Sequence, residues 1–217
     1  MAKKTSPTFN EEQQCWYKGY KFVAGIDEVG RGAFAGPLVT AAVIFRPRAT
    51  FQDNDLWRVN DSKLLTPSQR EKLAVKIKKE ALCFAIAEIP VNYINRYGVG
   101  KAAQLGFYQV ATTLCHRPDF CLIDAFLIKK LKRISQKALI HGDSLSYSIA
   151  AASILAKVYR DGLMRDLETQ DPRYGFARHK GYGTQLHQQK LQQHGLSIFH
   201  RTSFDLSSFL TQPSSSE

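Results

Sequence analysis

The stretch Gly25-Ile26-Asp27-Glu28-Val29-Gly30-Arg31-Gly32-Ala33-Phe34-Ala35-Gly36-Pro37-Leu38-Val39 puts two carboxylates at the end of an apolar run, with a glycine-rich turn directly behind them. Residues 22–29 read as a short apolar strand with a turn signal after it. Residues 38–45, rich in β-branched and aromatic side chains, read as a second strand. The glycines invite a dinucleotide-binding reading, but the spacing fails. The third glycine of G-x-G-x-x-G would fall at Ala35, and Pro37 and a strand follow where that motif needs a helix. Gly98-Val99-Gly100-Lys101 fails as a phosphate-binding P-loop, because Asn95 occupies the first glycine position and Ala102 replaces the required Ser or Thr. A turn with open backbone fits better. Glycines let another group approach the peptide closely, and Arg31 adds a donor fork suited to phosphate. Taken by itself, however, the segment reads first as a plain turn.

Outward from that stretch, Thr66 can cap a helix over 66–80, with Pro67 in the first turn and Gln69 completing a capping box. Residues 82–89 alternate loosely and predict a third strand. Helical sequence follows over 91–116, interrupted near Gly98 and Gly100. Residues 120–123 form a short buried strand ending at Asp124, and 138–141 another ending at Gly142-Asp143. A long helix spans 144–170, and its Ala150-Ala151-Ala152 run suits close packing on a sheet. One more helix is expected at 184–193. Residues 1–20 read as a polar arm and 211–217 as a disordered tail. The order predicts an α/β fold: a mixed sheet flanked by helices, one domain over 21–210, with a helical C-terminal extension from about residue 171 to 210.

The 217 residues carry 30 Lys and Arg against 19 Asp and Glu, a net charge of +11 and a pI near 9.6. Such an excess suits a polyanion, nucleic acid before an acidic membrane surface. No apolar run approaches the roughly 20 residues of a membrane helix. The first residues, MAKKTSPTFNEEQQ, lack the apolar stretch of a secretory signal. Cys15, Cys83, Cys115 and Cys121 include no C-x-x-C pair. Packed, reduced thiols of a cytoplasmic protein are expected, rather than a zinc site or a disulfide framework. No histidine pair has H-x-x-x-H spacing, so zinc is not expected either, and His200 reads as structural.

Asp27, Glu28, Asp124 and Asp143 carry the chemistry. They lie within or just past short apolar strands, where an acid is costly unless it meets a cation, a hydrogen-bond network or water. Carboxylates converging from separate strands are what oxygen-preferring Mg²⁺ or Mn²⁺ requires. Two such ions about 4 Å apart can clamp the attacking and leaving oxygens of a phosphodiester. Each acid also has an ordinary reading. Asp143 could be an N-cap, and Asp124 could end a strand in a turn. Asp27 and Glu28 would point to opposite faces unless the strand ends there.

The segment GIDEVGRGAFAGPLV resembles the signature of the ribonuclease HII family, and the resemblance continues in order. Asp61-Ser62-Lys63 matches its D-S-K motif, and Asp124 in CLIDAF its third acid. HGDSLSYSIAAASILAKVYRD matches its next block, with His141 in place of the usual lysine. YGFARHKGYGT and HRTSF match its closing motifs. The resemblance covers about 23–204 and implies a ribonuclease H-like fold. It implies metal ligation by Asp27, Glu28, Asp124 and Asp143, with Mg²⁺ or Mn²⁺. It implies recognition of a ribose 2′-OH by Gly30, Arg31, Gly32 and Tyr182, and phosphate contacts by Lys63 and Lys180. Ser146, Ser153 and Lys157 match positions near the substrate strand, where their roles could be structural. The implied substrates are RNA–DNA hybrids and duplex DNA with embedded ribonucleotides, cut to leave a 3′-OH and a 5′-phosphate. The sister family, ribonuclease HIII, has a glutamate as fourth acid, whereas this chain has Asp143.

The residues themselves agree. The 2′-OH distinguishes RNA from DNA, and open peptides at Gly30 and Gly32 could read it. Tyr182 could stack on a sugar or base, or be a core tyrosine. Two rivals differ in class. Another metal nuclease of this fold would lack GRG and KGY in this order, and a non-catalytic nucleic-acid-binding module would leave the acids unexplained. A monomer is expected. FDLSSFL near the C-terminus suggests a peptide that docks on a sliding clamp but lacks the expected glutamine spacing.

Overall fold

The computed structural model describes residues 7–47 and 66–210. Five strands form one sheet: β1 (Val23–Val29), β2 (Leu38–Ile44), β3 (Cys83–Ile89), β4 (Phe120–Asp124) and β5 (Ser135–Leu139). Their order is β3-β2-β1-β4-β5. The first three form an antiparallel meander, and β4 and β5 add in parallel with β1. Helices α1 (Asn10–Tyr17), α2 (Pro67–Glu80), α3 (Val91–Tyr97), α4 (Val99–Thr113), α5 (Tyr147–Gln170), α6 (Phe176–His179) and α7 (Gln185–His194) complete the described elements. The capping box of α2 is present, Thr66 and Gln69 each accepting from the other's backbone N–H.

The sheet has both faces covered, which explains why β2 is buried at every position. On one face Val39, Ala41 and Val43 meet Ala150, Ala151, Ala152 and Leu155 of α5, with Leu73 and Ile77 of α2 beyond. On the other, Ala24, Ile26, Ala42, Ile44 and Ile123 pack against Phe107 and Val110 of α4. Each fully buried aliphatic side chain contributes about 1.5–3 kcal/mol. The small residues of α5 bring its axis close to the sheet. A Cβ on Gly25 of β1 would collide with the Ser148–Ile149 backbone of α5. Glycine is therefore required at that crossing, and it seats the start of α5 against β1.

The structure departs from the sequence reading in several places. Residues 10–17 of the expected arm form α1, which turns Glu12 and Cys15 inward. β5 lies over 135–139 rather than 138–141, because its register with β4 pairs Ser135 with Phe120 and Leu139 with Asp124. The apolar signal had included Ile140, which is 77% exposed. The long helix begins at Tyr147 with Ser146 as its cap, after a 3-10 turn at Gly142–Ser144. Finally, Cys83 of β3 and Cys115 after α4 lie against each other, the Cys115 N–H donating to Cys83 Sγ at 2.9 Å. Cys15 and Cys121 are free and buried. Cys83 and Cys115 are distant in sequence, so only the packing of α4 on β3 brings them together.

Helix α1 reaches the start of α5. Glu12 Oε1 accepts from the Ser146 hydroxyl at 2.6 Å, the Ser148 hydroxyl at 2.5 Å and the Ser148 N–H at 2.8 Å. Thr8 pairs with Ser146 and exchanges backbone bonds with Leu145 and Tyr147. The arm thus anchors the segment just after Asp143. Glu12→Ala leaves these buried donors without an acceptor, a loss of about 1–3 kcal/mol. Thermal unfolding should show a clear fall in Tm for Glu12→Ala and a smaller one for Glu12→Gln, which keeps the acceptor. Equal melting of both variants and wild type would rule out this anchoring role.

Candidate active site

The parallel ladder between β1 and β4 ends at Ile26 and Ile123. Asp27 and Asp124 are the next residue on each strand. In a parallel register they lie side by side and project to the same face. Asp27 is 5% exposed, its Oδ1 accepts from the Glu28 N–H at 2.7 Å, and Ser153 of α5 lines the same cleft. Glu28 follows within β1, which continues against β2 as far as Val29. The strand therefore does not end at the acids; only its pairing with β4 does. Glu28 meets Arg31 at 3.5 Å. Asp124 Oδ1 accepts from the Gly142 N–H at 2.7 Å, tying β4 to the turn that carries Asp143. Ser146 caps α5, so Asp143 is not the cap of that helix.

One cleft of about 420 Å³ is lined by all four carboxylates together with Gly30, Arg31, Gly32, Ser153, Lys157 and Tyr182. Arg70, from the first turn of α2, lines it too. Nothing in the sequence singled out that residue, because its position depends on how α2 packs across α5. Tyr182 is half-buried and faces the cleft, not the core, 5.4 Å from the Arg160 guanidinium carbon. Lys157 pairs with Asp161 at 2.7 Å. Lys180 does not line the cleft, and its ammonium donates to the Ala177 carbonyl at 2.7 Å. Lys63 lies outside the described residues.

Burial and neighbouring acids disfavour the ionisation of Asp27 and Glu28. Burial first, then the Glu28 charge, holds the Asp27 carboxyl well above the usual carboxylate range. Burial raises Glu28 to about 7, with Arg31 opposing the rise and Asp124 adding to it. Glu28 Oε2 is buried and has no hydrogen-bond partner. A divalent cation would neutralise the repulsion and engage that oxygen, so this donor set fits a hard, oxygen-preferring ion. Among the described residues no three acidic, His or Cys side chains already converge on one point in metal-ligand geometry. The carboxylates are instead turned toward neighbours such as Gly142, Ser153 and Arg31.

The glycine-rich loop is held from behind by two buried guanidinium groups. Arg160 donates to the carbonyls of Ala35, Pro37 and Lys180 at 2.8–3.1 Å. Arg201 donates to the carbonyls of Gly30, Arg31 and Gly36 at 2.6–3.1 Å. Burial and the Arg160 charge push Arg201 down to about 9. Gly30 has φ +95°, and a Cβ there would strike the Arg160 side chain. Its missing side chain therefore answers to an internal neighbour, whereas Gly32 is exposed beside open space. Arg160 and Arg201 stand in the YRD and HRTSF segments, but no local pattern shows that they reach the same loop.

A relay of histidines sets the Tyr182 turn. The Ser197 N–H donates to His200 Nδ1 at 2.9 Å, so the His200 proton sits on Nε2. His200 Nε2 then donates to His187 Nε2 at 3.1 Å, and His187 Nδ1 donates to the Tyr182 carbonyl at 3.0 Å. His179 stacks on His187 and accepts from the Gly181 N–H. His200 is structural, as expected.

A mixed sheet in this order, with acids from β1, β4 and the turn after β5 around one cleft, defines the class as a ribonuclease H-like nuclease. The family model described as Ribonuclease HII matches residues 24–207. The chain belongs to the ribonuclease HII family, endonucleases that cut the RNA strand of RNA–DNA hybrids and depend on divalent metal. It is 46% identical over 203 residues to Ribonuclease HII of Desulfitobacterium hafniense (strain DSM 10664 / DCB-2), covering 94% of this chain and 76% of the relative. The fold is similar to that of ribonuclease H2 from Pyrococcus horikoshii OT3, with a TM-score of 0.70 at 24% identity over 86% of this chain and 95% of that one. It is also similar to Bst-RNase HIII in complex with Mn²⁺, with a TM-score of 0.67 at 20% identity over 87% of this chain and 68% of that one.

The relay requires neutral rings. Burial lowers His187 and His200 from 6.5 to about 4. A histidine depressed in the folded state contributes stability that is present above its unfolded pKa and lost as pH falls toward the folded value. Wild-type Tm should therefore drop between pH 6.5 and about 4 more steeply than that of His187→Asn, which keeps a donor for the Tyr182 carbonyl but cannot protonate. Parallel Tm profiles would show that these rings do not govern acid stability.

Proposed function

We propose that this chain hydrolyses the phosphodiester on the 5′ side of a ribonucleotide, including a single one embedded in duplex DNA. The observation that carries the reading is the one cleft lined by Asp27, Glu28, Asp124, Asp143, the Gly30-Arg31-Gly32 loop and Tyr182. Asp27, Glu28, Asp124 and Asp143 would hold two Mg²⁺ or Mn²⁺ ions. When bound, such ions supply activation of a water and stabilisation of the leaving 3′-oxygen. The water oxygen joins phosphorus as the P–O3′ bond breaks, leaving a 3′-OH and a 5′-phosphate. The 2′-OH serves recognition only, so no cyclic phosphate forms.

The remaining roles belong to orientation. The rigid GRG loop offers a short reading element, enough for one 2′-OH, and Arg31 adds a phosphate contact. Tyr182 packs on the sugar or base at the junction. Lys63 and Lys180 are read as phosphate contacts, Lys180 after its ammonium leaves the Ala177 carbonyl. The working unit in this reading is a monomer. The candidate clamp-docking segment FDLSSFL is in use within the molecule: Phe209 stacks on Phe34 at 5.5 Å, and Phe209 and Leu210 pack on the C-terminal core. Cellular duplexes containing ribonucleotides make the cytoplasm the natural location.

The test uses an end-labelled duplex with one ribonucleotide, beside all-DNA and 2′-O-methyl controls. Cleavage of the first alone, one phosphate 5′ to the ribose, is expected. Asp27→Asn should lose several orders of magnitude in rate and bind Mn²⁺ more weakly by calorimetry, with its fold kept. Equal cutting of the DNA control, a need for several consecutive ribonucleotides, or near-normal activity of Asp27→Asn would each overturn the reading.

A further inference from the structure

Beside the candidate active site lies a larger groove of about 790 Å³, with Arg31 lining both. Arg31 also lies 5.0 Å from the centre of the Phe126 ring, in the groove. The groove carries Lys101 at the start of α4 and Lys129 and Lys130 from the loop between β4 and β5, and no carboxylate lines it. Lys130 opens onto a second hollow that carries Arg117, Lys132 and Arg133, again with no carboxylate in its lining. Among the described residues no ion pair engages Lys101, Lys129, Lys130, Lys132 or Arg133.

A run of charge is usually a solvated loop, but this one is built. In Ile128-Lys129-Lys130-Leu131-Lys132-Arg133-Ile134 the aliphatic residues recur every third position and are buried at 2%, 6% and 9% exposure. They insert into the core beneath α4, which turns the intervening cations outward. Gln104 of α4 clamps one end, donating to the Leu127 carbonyl and accepting from the Lys129 N–H, both at 2.8 Å. Gln136 clamps the other through Ile128 and Leu131. The backbone of the loop is thereby anchored, and its cations extend from the catalytic cleft, where Arg31 lines both hollows. Clustered like charges without counter-ions suit a polyanionic phosphate backbone.

We propose that the 129–133 loop and Lys101 form a platform for the sugar-phosphate backbone of duplex lying beyond the cleavage point. This rests on the reading of the cleft as a site for nucleic acid. The platform makes no base contacts, so it adds affinity without sequence or sugar preference. Its reach extends the footprint past the short element that reads the ribose.

The experiment compares wild type with a Lys129→Gln, Lys130→Gln, Lys132→Gln, Arg133→Gln variant and with a charge-preserving Lys129→Arg, Lys130→Arg, Lys132→Arg variant. Matching Tm values check that each folds. The probes are a long duplex with one ribonucleotide, an all-DNA duplex of the same length, and a short duplex confined to the cleft. For the neutralised variant, Kd on both long duplexes should rise about tenfold at ~0.15 M salt, and the log–log salt slope should fall by about 0.9 per lost phosphate contact. KM for the long substrate should rise with kcat within about twofold, the short duplex should be little affected, and the arginine variant should behave as wild type. An unchanged Kd and salt slope, with wild type still cutting, would overturn the platform, leave the face to an acidic protein partner, and spare the nuclease reading. A fall in kcat at constant KM would also overturn it, because the loop would then act by holding Asp124 and Asp143. A wild type that binds no duplex would overturn both.

Discussion

Two guanidinium groups, those of Arg160 and Arg201, are buried beneath the glycine-rich loop and bond the carbonyls of Gly30, Arg31, Ala35, Gly36 and Pro37. Taking two like charges out of water is costly, and both groups are pushed below the usual arginine range by that burial. The cost is offset because each fork satisfies several carbonyls that no sheet or helix engages. The consequence reaches the rest of the site. The loop is tied at five carbonyls, with Arg31 beside Glu28 and Gly32 open. Arg160 also bonds the Lys180 carbonyl, and Gly181 accepts from Phe34 and Ala35, which locks the Tyr182 turn to the same loop.

The carboxylates show the opposite balance. They are brought together by the register of β1 and β4 and by the turn after β5, whose Gly142 N–H bonds Asp124. The site is electrostatically unfinished by itself, with Glu28 held to about 7 and one of its oxygens unpartnered. Perturbed acids of this kind concentrate at functional sites, and a bound cation would relieve the repulsion. The surrounding surface supplies positive charge at two ranges: Arg31 and Lys157 line the cleft, and the loop between the third and fourth acids turns its cations outward. That loop joins two residues of the site directly, so binding surface and chemistry share one connection.

Much of this was legible in the chain. Alternation and apolar runs placed all five strands, although β5 was shifted by the exposed Ile140. The Thr66–Gln69 box was readable because a capping box is a local device. The four acids could be picked out as anomalous, since acids at the ends of apolar strands need a reason. Helix α1 was not legible: its partners, Ser146 and Ser148, are more than 130 residues away. The short helix α6 was missed for the same reason, because its burial depends on the aromatic and histidine cluster assembled from distant turns.

By itself the sequence determined the elements, the excess of positive charge, the candidate acids and the family motifs, because each is written in neighbours a few residues apart. The tertiary structure decided which acids share a face, that Ser146 and not Asp143 caps α5, that Tyr182 faces the cleft, and that Lys180 lies outside its lining. It also decided that Gly30 is required by Arg160 and that Cys83 meets Cys115. These outcomes depend on strand register and on long side chains crossing between elements. Local pattern does not encode them, because the partner's position exists only once the sheet has formed and α5 has packed across it.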